Sequence, residues 1–336
     1  MSPKQNISQE RTEMLLSVIV PCYNEEGNID RFYEETVKAL GDLMPRTEII
    51  FVNDGSGDAT LEKLRALCAR AEYRVRVVSF SRNFGKEAAL LAGLRSSEGD
   101  FTVIIDADLQ QNPEYIVKMM KILEEHPEYD AVAAYQEERK EGFIISAFKH
   151  AFYKVIDSMT DVKIMQAASD FRLLRRPVVE AILSLPEKCR FSKGIFAWVG
   201  FETFYMPYKV EDRASGTSKW NFWKLMMYAF DGIIAFSNKP LIMSSVVGFF
   251  IFMFSILYLV IIVVKTILWG DPVAGFPTLA CLILMLSGIQ LLGIGILGQY
   301  LAKDYTESKG RPVYVVKETM DSQKPDAGRE EVSGQN

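Results

Sequence analysis

Two long stretches without a charged side chain limit what this chain can fold into more than any other feature. Leu241 to Val264 is the first, and Phe276 to Ala302 the second. Each exceeds the roughly 20 apolar residues that cross a bilayer as a helix. Between them, Lys265 to Gly275 contains Trp269, Gly270, Asp271 and Pro272, which mark a turn. The pattern predicts a transmembrane hairpin over 239–302, with spans at about 241–264 and 276–301. Lys219, Lys224 and Lys239 precede the first span, and Lys303, Lys309 and Arg311 follow the second. The connection carries only Lys265 against Asp271. The positive-inside rule then places a cell-membrane protein with both termini and its N-terminal domain on the cytoplasmic side.

The N-terminal two-thirds has a different grammar. Residues 1–13 are a polar tail. The apolar run Leu15 to Val20 is short and ends in Pro21-Cys22-Tyr23-Asn24-Glu25, which reads as a strand entering a loop rather than a signal peptide. Strand one is Leu16 to Val20. Glu26 to Leu40 follows as a helix, with Ile29, Phe32, Tyr33, Val37 and Leu40 at helical spacing. Strand two, Glu48 to Val52, leads into Asn53-Asp54-Gly55-Ser56-Gly57-Asp58 and a helix to about Arg70. Strand three, Arg76 to Phe80, leads into Ser81-Arg82-Asn83-Phe84-Gly85-Lys86 and a small-residue helix through Gly93. Strand four is Phe101 to Ile105; Pro113 opens the next helix, and strand five is Ala131 to Tyr135. Strict alternation predicts an α/β domain over 14–218, a Rossmann-like, mainly parallel sheet with helices on both faces. The loops after strands one to four then share one edge, where α/β sheets bind ligands.

Those loops carry the chemistry. Strand four ends in Asp106-Ala107-Asp108-Leu109-Gln110. Two carboxylates and an amide form a hard oxygen site suited to Mg²⁺ or Mn²⁺ and to a diphosphate; a solvated acidic turn is the plain alternative. Asp108, with Gln110, is the candidate metal holder, and Asp106 the ribose-side acid. Asp54 is placed to accept hydrogen bonds from a base or ribose, or else caps its own turn. Lys86 follows a glycine at a helix start, an anion site, or is a surface lysine. Only His126 and His150 exist, which argues against a histidine triad. Cys22, Cys68, Cys189 and Cys281 form no paired motif, so zinc or a disulfide framework is not expected. The net charge of −5 implies no nucleic-acid surface.

Residues 143–160 and 219–236 mix aromatics with lysines. The second abuts the first span and reads as a juxtamembrane amphipathic helix over 219–238 lying at the interface; the first reads equally as interfacial or as a core helix. Residues 303–317 are a short cytosolic segment, and 318–336 are polar and expected as a disordered tail.

Taken in order, these motifs resemble family 2 glycosyltransferases of GT-A fold, and within them the polyprenyl-phosphate branch. The resemblance extends through Asp170-Phe171-Arg172-Leu173-Leu174 and Arg213-Ala214-Ser215-Gly216-Thr217-Ser218-Lys219-Trp220. Past the hairpin it reaches Glu307-Ser308-Lys309-Gly310-Arg311-Pro312-Val313-Tyr314. It implies inverting transfer from a nucleotide sugar to a lipid phosphate, a divalent metal, a bacterial membrane and a homo-oligomer, a tetramer among its forms. Pro21, Tyr23, Asn24, Glu25, Asp54, Lys86, Asp106, Asp108 and Gln110 would hold the UDP-sugar, with Asp108 and Gln110 on the metal. Arg139, Lys149, Arg213, Ser218 and Lys219 would hold the acceptor phosphate. Asp106, Asp108 and Asp170 are the catalytic candidates. Asn53 and Gln299 stand where that family often has Asp and Glu.

A polyprenyl phosphate has a second pKa near 6 by analogy with phosphate monoesters, so its oxygen is largely anionic at neutral pH. Positioning and charge stabilisation then matter more than a strong base. Asp170 would orient the nucleophile, act as a base, or pair structurally with Arg172 or Arg175. Glucose is the first expected sugar and N-acetylglucosamine the second, with GDP-mannose or modified sugars open. A processive synthase fits poorly, because the chain has two spans and no Gln-x-x-Arg-Trp. A membrane-tethered nucleotide-sugar binding protein without turnover is the non-enzyme reading.

Overall fold

The computed structural model describes residues 15–136, 168–208, 239–269 and 275–323. They fall into two compact units, one of residues 15–136, 168–208 and 312–323, the other of 239–269 and 275–311.

The first unit is built in chain order from β1 (Leu16–Cys22), α1 (Ile29–Leu40), β2 (Thr47–Asn53), α2 (Thr60–Arg70), β3 (Arg74–Phe80), α3 (Lys86–Ser96), β4 (Phe101–Ile104), α4 (Glu114–Glu125) and β5 (Ala131–Gln136). After these come β6 (Ala168–Arg175), α5 (Arg176–Ser184), α6 (Ser192–Trp198) and β7 (Thr203–Tyr208). Two long helices follow, α7 (Lys239–Trp269) and α8 (Phe276–Ser308), and the first unit closes with β8 (Val316–Asp321). The eight-stranded sheet runs β7-β5-β6-β4-β1-β2-β3-β8. Its centre, β4-β1-β2-β3, is parallel, while β6 and β8 run antiparallel to their neighbours. The expected mainly parallel α/β sheet is the one observed.

Period-two alternation decides which helix covers which face. Leu16, Val18 and Val20 of β1 pack with Phe32 of α1, Leu64 of α2 and Met119 of α4. Ile50 and Val52 of β2 point the other way, onto Ala88, Ala89 and Ala92 of α3. Small residues in α3 let it lie close to the sheet: a Cβ at Gly93 would sit 2.3 Å from Ile19 Cγ2. α1 begins at Ile29, later than the apolar spacing implies, because Glu25 and Glu26 are engaged with the next loop. It ends at Gly41, whose φ is +46°.

One expectation needs correction. Residues 318–321, read as the start of a disordered tail, form the last four residues of β8 on the β3 edge. The strand is polar because one face is wet. Met320 packs on the core, Arg65 holds Glu318 at 2.7 Å, and Arg74 holds Asp321 at 3.1 Å.

In the second unit, two helices are long and apolar enough to cross a membrane by length and composition, with windows Pro240–Tyr258 and Met285–Ser308. They fit a hairpin. A Cβ at Gly293 of α8 would lie 3.0 Å from Ser244 Oγ of α7, the small-residue approach common between membrane helices. Phe250 is 66% and Leu291 68% exposed. The expected amphipathic stretches at 143–160 and 219–236 lie outside the described residues.

Candidate active site

The parallel register sets Cys22 beside Asn53, and Asn53 beside Ser79. The loops after β1, β2 and β3 therefore leave the sheet side by side, and side chains stitch them together. Asn24, at φ +56°, accepts from the Gly57 amide at 2.9 Å, and its own N–H donates to Ser56 Oγ at 3.0 Å. The Glu25 N–H donates to Thr60 Oγ1 at 2.8 Å, and Glu26 accepts from the Ala59 amide at 2.8 Å. Tyr23 stands 42% exposed above this seam, while Pro21 lies in β1 beside Val52. Asn53 donates to Ser79 Oγ and accepts from the Ser56 amide, using both ends of its amide inside the fold.

Asp54 joins the second loop to the third. Its carboxylate is buried and accepts from the amides of Phe84 at 2.6 Å and Gly85 at 2.9 Å. Burial raises its pKa, and the two amide bonds pull it partly back. The turn expected to be capped by Asp54 is instead the next loop along. Each oxygen accepts one of these bonds and keeps a second lone pair. The loops touch at Gly55, whose φ is +61°, where a Cβ would lie 2.2 Å from the Arg82 carbonyl carbon.

Lys86 opens α3 and binds two acids at once. Its Nζ is 2.8 Å from Asp106 Oδ1 and 2.9 Å from Asp170 Oδ2. The lysine expected at an anion site thus carries two carboxylate partners, with its side chain still 43% exposed. Burial would lower its pKa, but Asp106 and Asp170 more than reverse that and hold it raised. Burial pushes Asp170 up, and Lys86, then Lys193, outweigh it and leave the carboxyl below its usual range. The expected Arg175 partner goes elsewhere, donating to the carbonyls of Tyr129 and Leu123. Arg172 lies two residues along β6, buried, its guanidinium 3.7 Å from the Phe196 ring centroid; burial lowers its pKa to about 10. Next to Lys86, Glu87 accepts from the Ser192 amide at 2.9 Å and from its hydroxyl, pinning the start of α6.

Comparison with known proteins gives this arrangement a family. The "Glycosyl transferase family 2" model matches residues 17–183, from β1 into α5. The bactoprenol glucosyl transferase of Shigella phage SfV is 42% identical over 306 residues, covering 90% of this chain and 98% of that protein. This chain is a family 2 glycosyltransferase. The prophage bactoprenol glucosyl transferase homolog of Escherichia coli K12 is 40% identical over 306 residues, 90% of this chain and 99% of that one. Among solved structures, glucosyl-3-phosphoglycerate synthase of Mycobacterium tuberculosis aligns with a TM-score of 0.47 at 18% identity, covering 66% of this chain and 78% of that one.

In this glycosyltransferase the acidic turn after β4 sits next to the Lys86 cluster. The Asp106 amide donates to Gln111 Oε1 at 3.1 Å, and the Gln110 amide donates to Asp108 Oδ1 at 3.1 Å. Leu109 between them adopts φ +58° with its side chain buried. A non-glycine residue held there stores about 1–3 kcal/mol of strain and fixes where its neighbours point. Among the described residues no group of three or more His, Cys, Asp or Glu could enclose a metal ion. The donor set of Asp106, Asp108 and Gln110 is all-oxygen. It fits Mg²⁺ or Mn²⁺ that keeps waters and takes its remaining ligands from substrate phosphates. Gln111, Tyr208, Glu87 and Lys193 lie around these side chains and were not among the expected site residues. Tyr208 hydrogen-bonds with Ser169 and Gln111, and burial raises its pKa, with Asp106 and Asp108 adding to the rise. Glu87 alone had a local signal, as the residue after Lys86. Arg139, Lys149, Arg213, Ser218 and Lys219 lie outside the described residues.

Proposed function

We propose that this glycosyltransferase moves one hexose, glucose first and N-acetylglucosamine second, from a UDP-sugar to a polyprenyl phosphate such as undecaprenyl phosphate, with inversion. The observation that carries the acceptor is the reach of the similarity. Relatives named for bactoprenol glucosylation align over 90% of the chain, a share that must run into the long apolar helices. Surplus lysine and arginine outside the hairpin supports transfer at the cytoplasmic face.

Asp108 and Gln110 would hold the divalent ion and with it the diphosphate. That ion supplies Lewis acidity as the nucleoside diphosphate departs. The zipped loops bearing Tyr23, Asn24, Glu25 and Asp54 form the nucleoside side of the crevice. Asp106 and Asp170 both contact Lys86, which fixes their direction and holds the Asp170 carboxyl below its ordinary range. Asp170, held below the ordinary carboxylate range, is a weak base, and an acceptor phosphate that is already anionic needs none. It suits the role of orienting an acceptor oxygen that is already anionic. Arg139, Lys149, Arg213, Ser218 and Lys219 are proposed to bind the acceptor phosphate.

The test uses purified full-length protein, undecaprenyl phosphate, Mn²⁺ or Mg²⁺ and a panel of UDP- and GDP-sugars, with the lipid product followed by mass. One donor should give a hexosyl phospholipid, lost with chelator and in Asp108→Ala. Binding of a nucleotide sugar with no lipid product from any donor would sink the transfer reading.

A further inference from the structure

The stretch after α8 carries aromatic and apolar residues that the proposed reaction does not use. α8 ends at Ser308, and β8 begins at Val316. Between them, Val313 and Tyr314 pack with Phe84 on the α3 face of the sheet, around Phe80 and Ala88. The Tyr314 ring stacks on Phe80, with centroids 4.8 Å apart and planes at 15°. Phe80 in turn meets Phe84 edge-on at 5.8 Å and 87°. Arg95, in the last turn of α3, lies 5.7 Å from the Tyr314 ring centre, and the Ser81 amide donates to the Val315 carbonyl at 3.0 Å. Phe84 is also the residue whose amide Asp54 holds, and Lys86 follows two positions later.

We propose that Tyr314 is a positioning residue for donor binding. It braces Phe80 and Phe84, and so fixes the loop that presents Lys86 to Asp106 and Asp170. The inference rests on the reading of this crevice as the donor site. A ring contact of this kind corresponds to about a two- to tenfold effect on an equilibrium.

The test compares full-length wild type with Tyr314→Phe, Tyr314→Leu and Tyr314→Ala. Donor and acceptor KM, kcat, UDP binding by calorimetry and hydrogen exchange across residues 81–86 are read in each. Tyr314→Phe keeps the ring, loses only the 3.4 Å bond that Arg95 donates to the hydroxyl, and should stay close to wild type. Tyr314→Leu and Tyr314→Ala should raise donor KM and the UDP Kd by about two- to tenfold with acceptor KM unchanged. Exchange should quicken across 81–86 and not in β1. Should Tyr314→Ala fail to fold, Tyr314→Leu decides. Unchanged donor KM and exchange in Tyr314→Leu would overturn the inference. So would a loss spread over both substrates and the whole sheet, the mark of a merely structural role. Wild type that bound no UDP would overturn the donor-site reading and this inference with it, whereas wild-type binding matched by Tyr314→Leu overturns the inference alone.

Discussion

Replacing Gly55 with alanine should uncouple the loops after β2 and β3. The new Cβ would lie 2.2 Å from the Arg82 carbonyl carbon and 2.5 Å from the Asn83 nitrogen. Both are backbone atoms, so no side chain can swing aside. With carbon contacts optimal from about 3.5 Å, the third loop must retreat by about 1.3 Å, the difference between 3.5 and 2.2. That movement takes the amides of Phe84 and Gly85, now 2.6 and 2.9 Å from the Asp54 oxygens, out of hydrogen-bond range. Bonds to a charged group contribute about 1.5–3 kcal/mol each, and alanine at φ +61° adds about 1 kcal/mol of strain. The low end of that sum is about 4 kcal/mol, a large share of a typical domain stability of about 5–15 kcal/mol. Hydrogen exchange read by mass spectrometry should show Phe84 and Gly85 losing protection by at least about 100-fold, with weakened UDP binding. Gly57→Ala is the matched control, since its Cβ meets nothing within 4 Å. Wild-type protection across residues 82–86 together with wild-type UDP affinity in Gly55→Ala would refute the reasoning.

Asp108→Ala should lower kcat by about 100-fold or more and abolish Mn²⁺-dependent UDP binding, measured by calorimetry with and without chelator. Lys86→Met should be pH-sensitive through Asp170. In the wild type, burial raises the Asp170 pKa and Lys86, with Lys193, more than reverses it, so its stabilisation is present above the unfolded value near 3.9 and lost as pH falls through the lowered folded value. Without Lys86, only Lys193 and Arg172 oppose burial, so the Asp170 carboxyl rises. The variant should be destabilised by about 1–2 kcal/mol at neutral pH, a figure discounted for the 43% exposure of Lys86, and the gap should narrow as pH falls towards 4. Urea midpoints at two pH values check it; a gap that widens in acid would be fatal. Asp321→Ala leaves Arg74 with only its acidic partners Glu98 and Glu48 and should loosen β8 by about 1–3 kcal/mol, seen as faster proteolysis beyond residue 315.

Much of the architecture was legible because it rests on local periodicity. The apolar runs of β1 and β2, amphipathic α1 and the Ala-rich α3 are each marked locally, and parallel connections then force four loops to one edge. The loop residues could be nominated from that edge alone. Their partners could not, because no local pattern links Lys86 to Asp106, twenty residues on, or to Asp170 in β6. Asp54 shows the same limit: its neighbours suggested a self-capped turn, yet its carboxylate serves amides thirty residues away. β8 was hidden for a different reason. A strand at a sheet edge needs only one apolar anchor, Met320, and draws its fixation from Arg65 and Arg74, some 250 residues earlier. β6 failed to read as a strand because Asp170, Arg172 and Arg175 break its apolar run, although Phe171 and Leu173 are buried on one face and Leu174 and an arginine over Phe196 on the other. Local sequence therefore marks which side chains reach the crevice. Which of them neutralise one another there depends on strand order, and strand order puts β6 beside β4, bringing Asp170 to the lysine that already faces Asp106. Asp170, open from sequence to an orienting, a basic or a structural role, is thereby paired with Lys86 and held as a fixed anion.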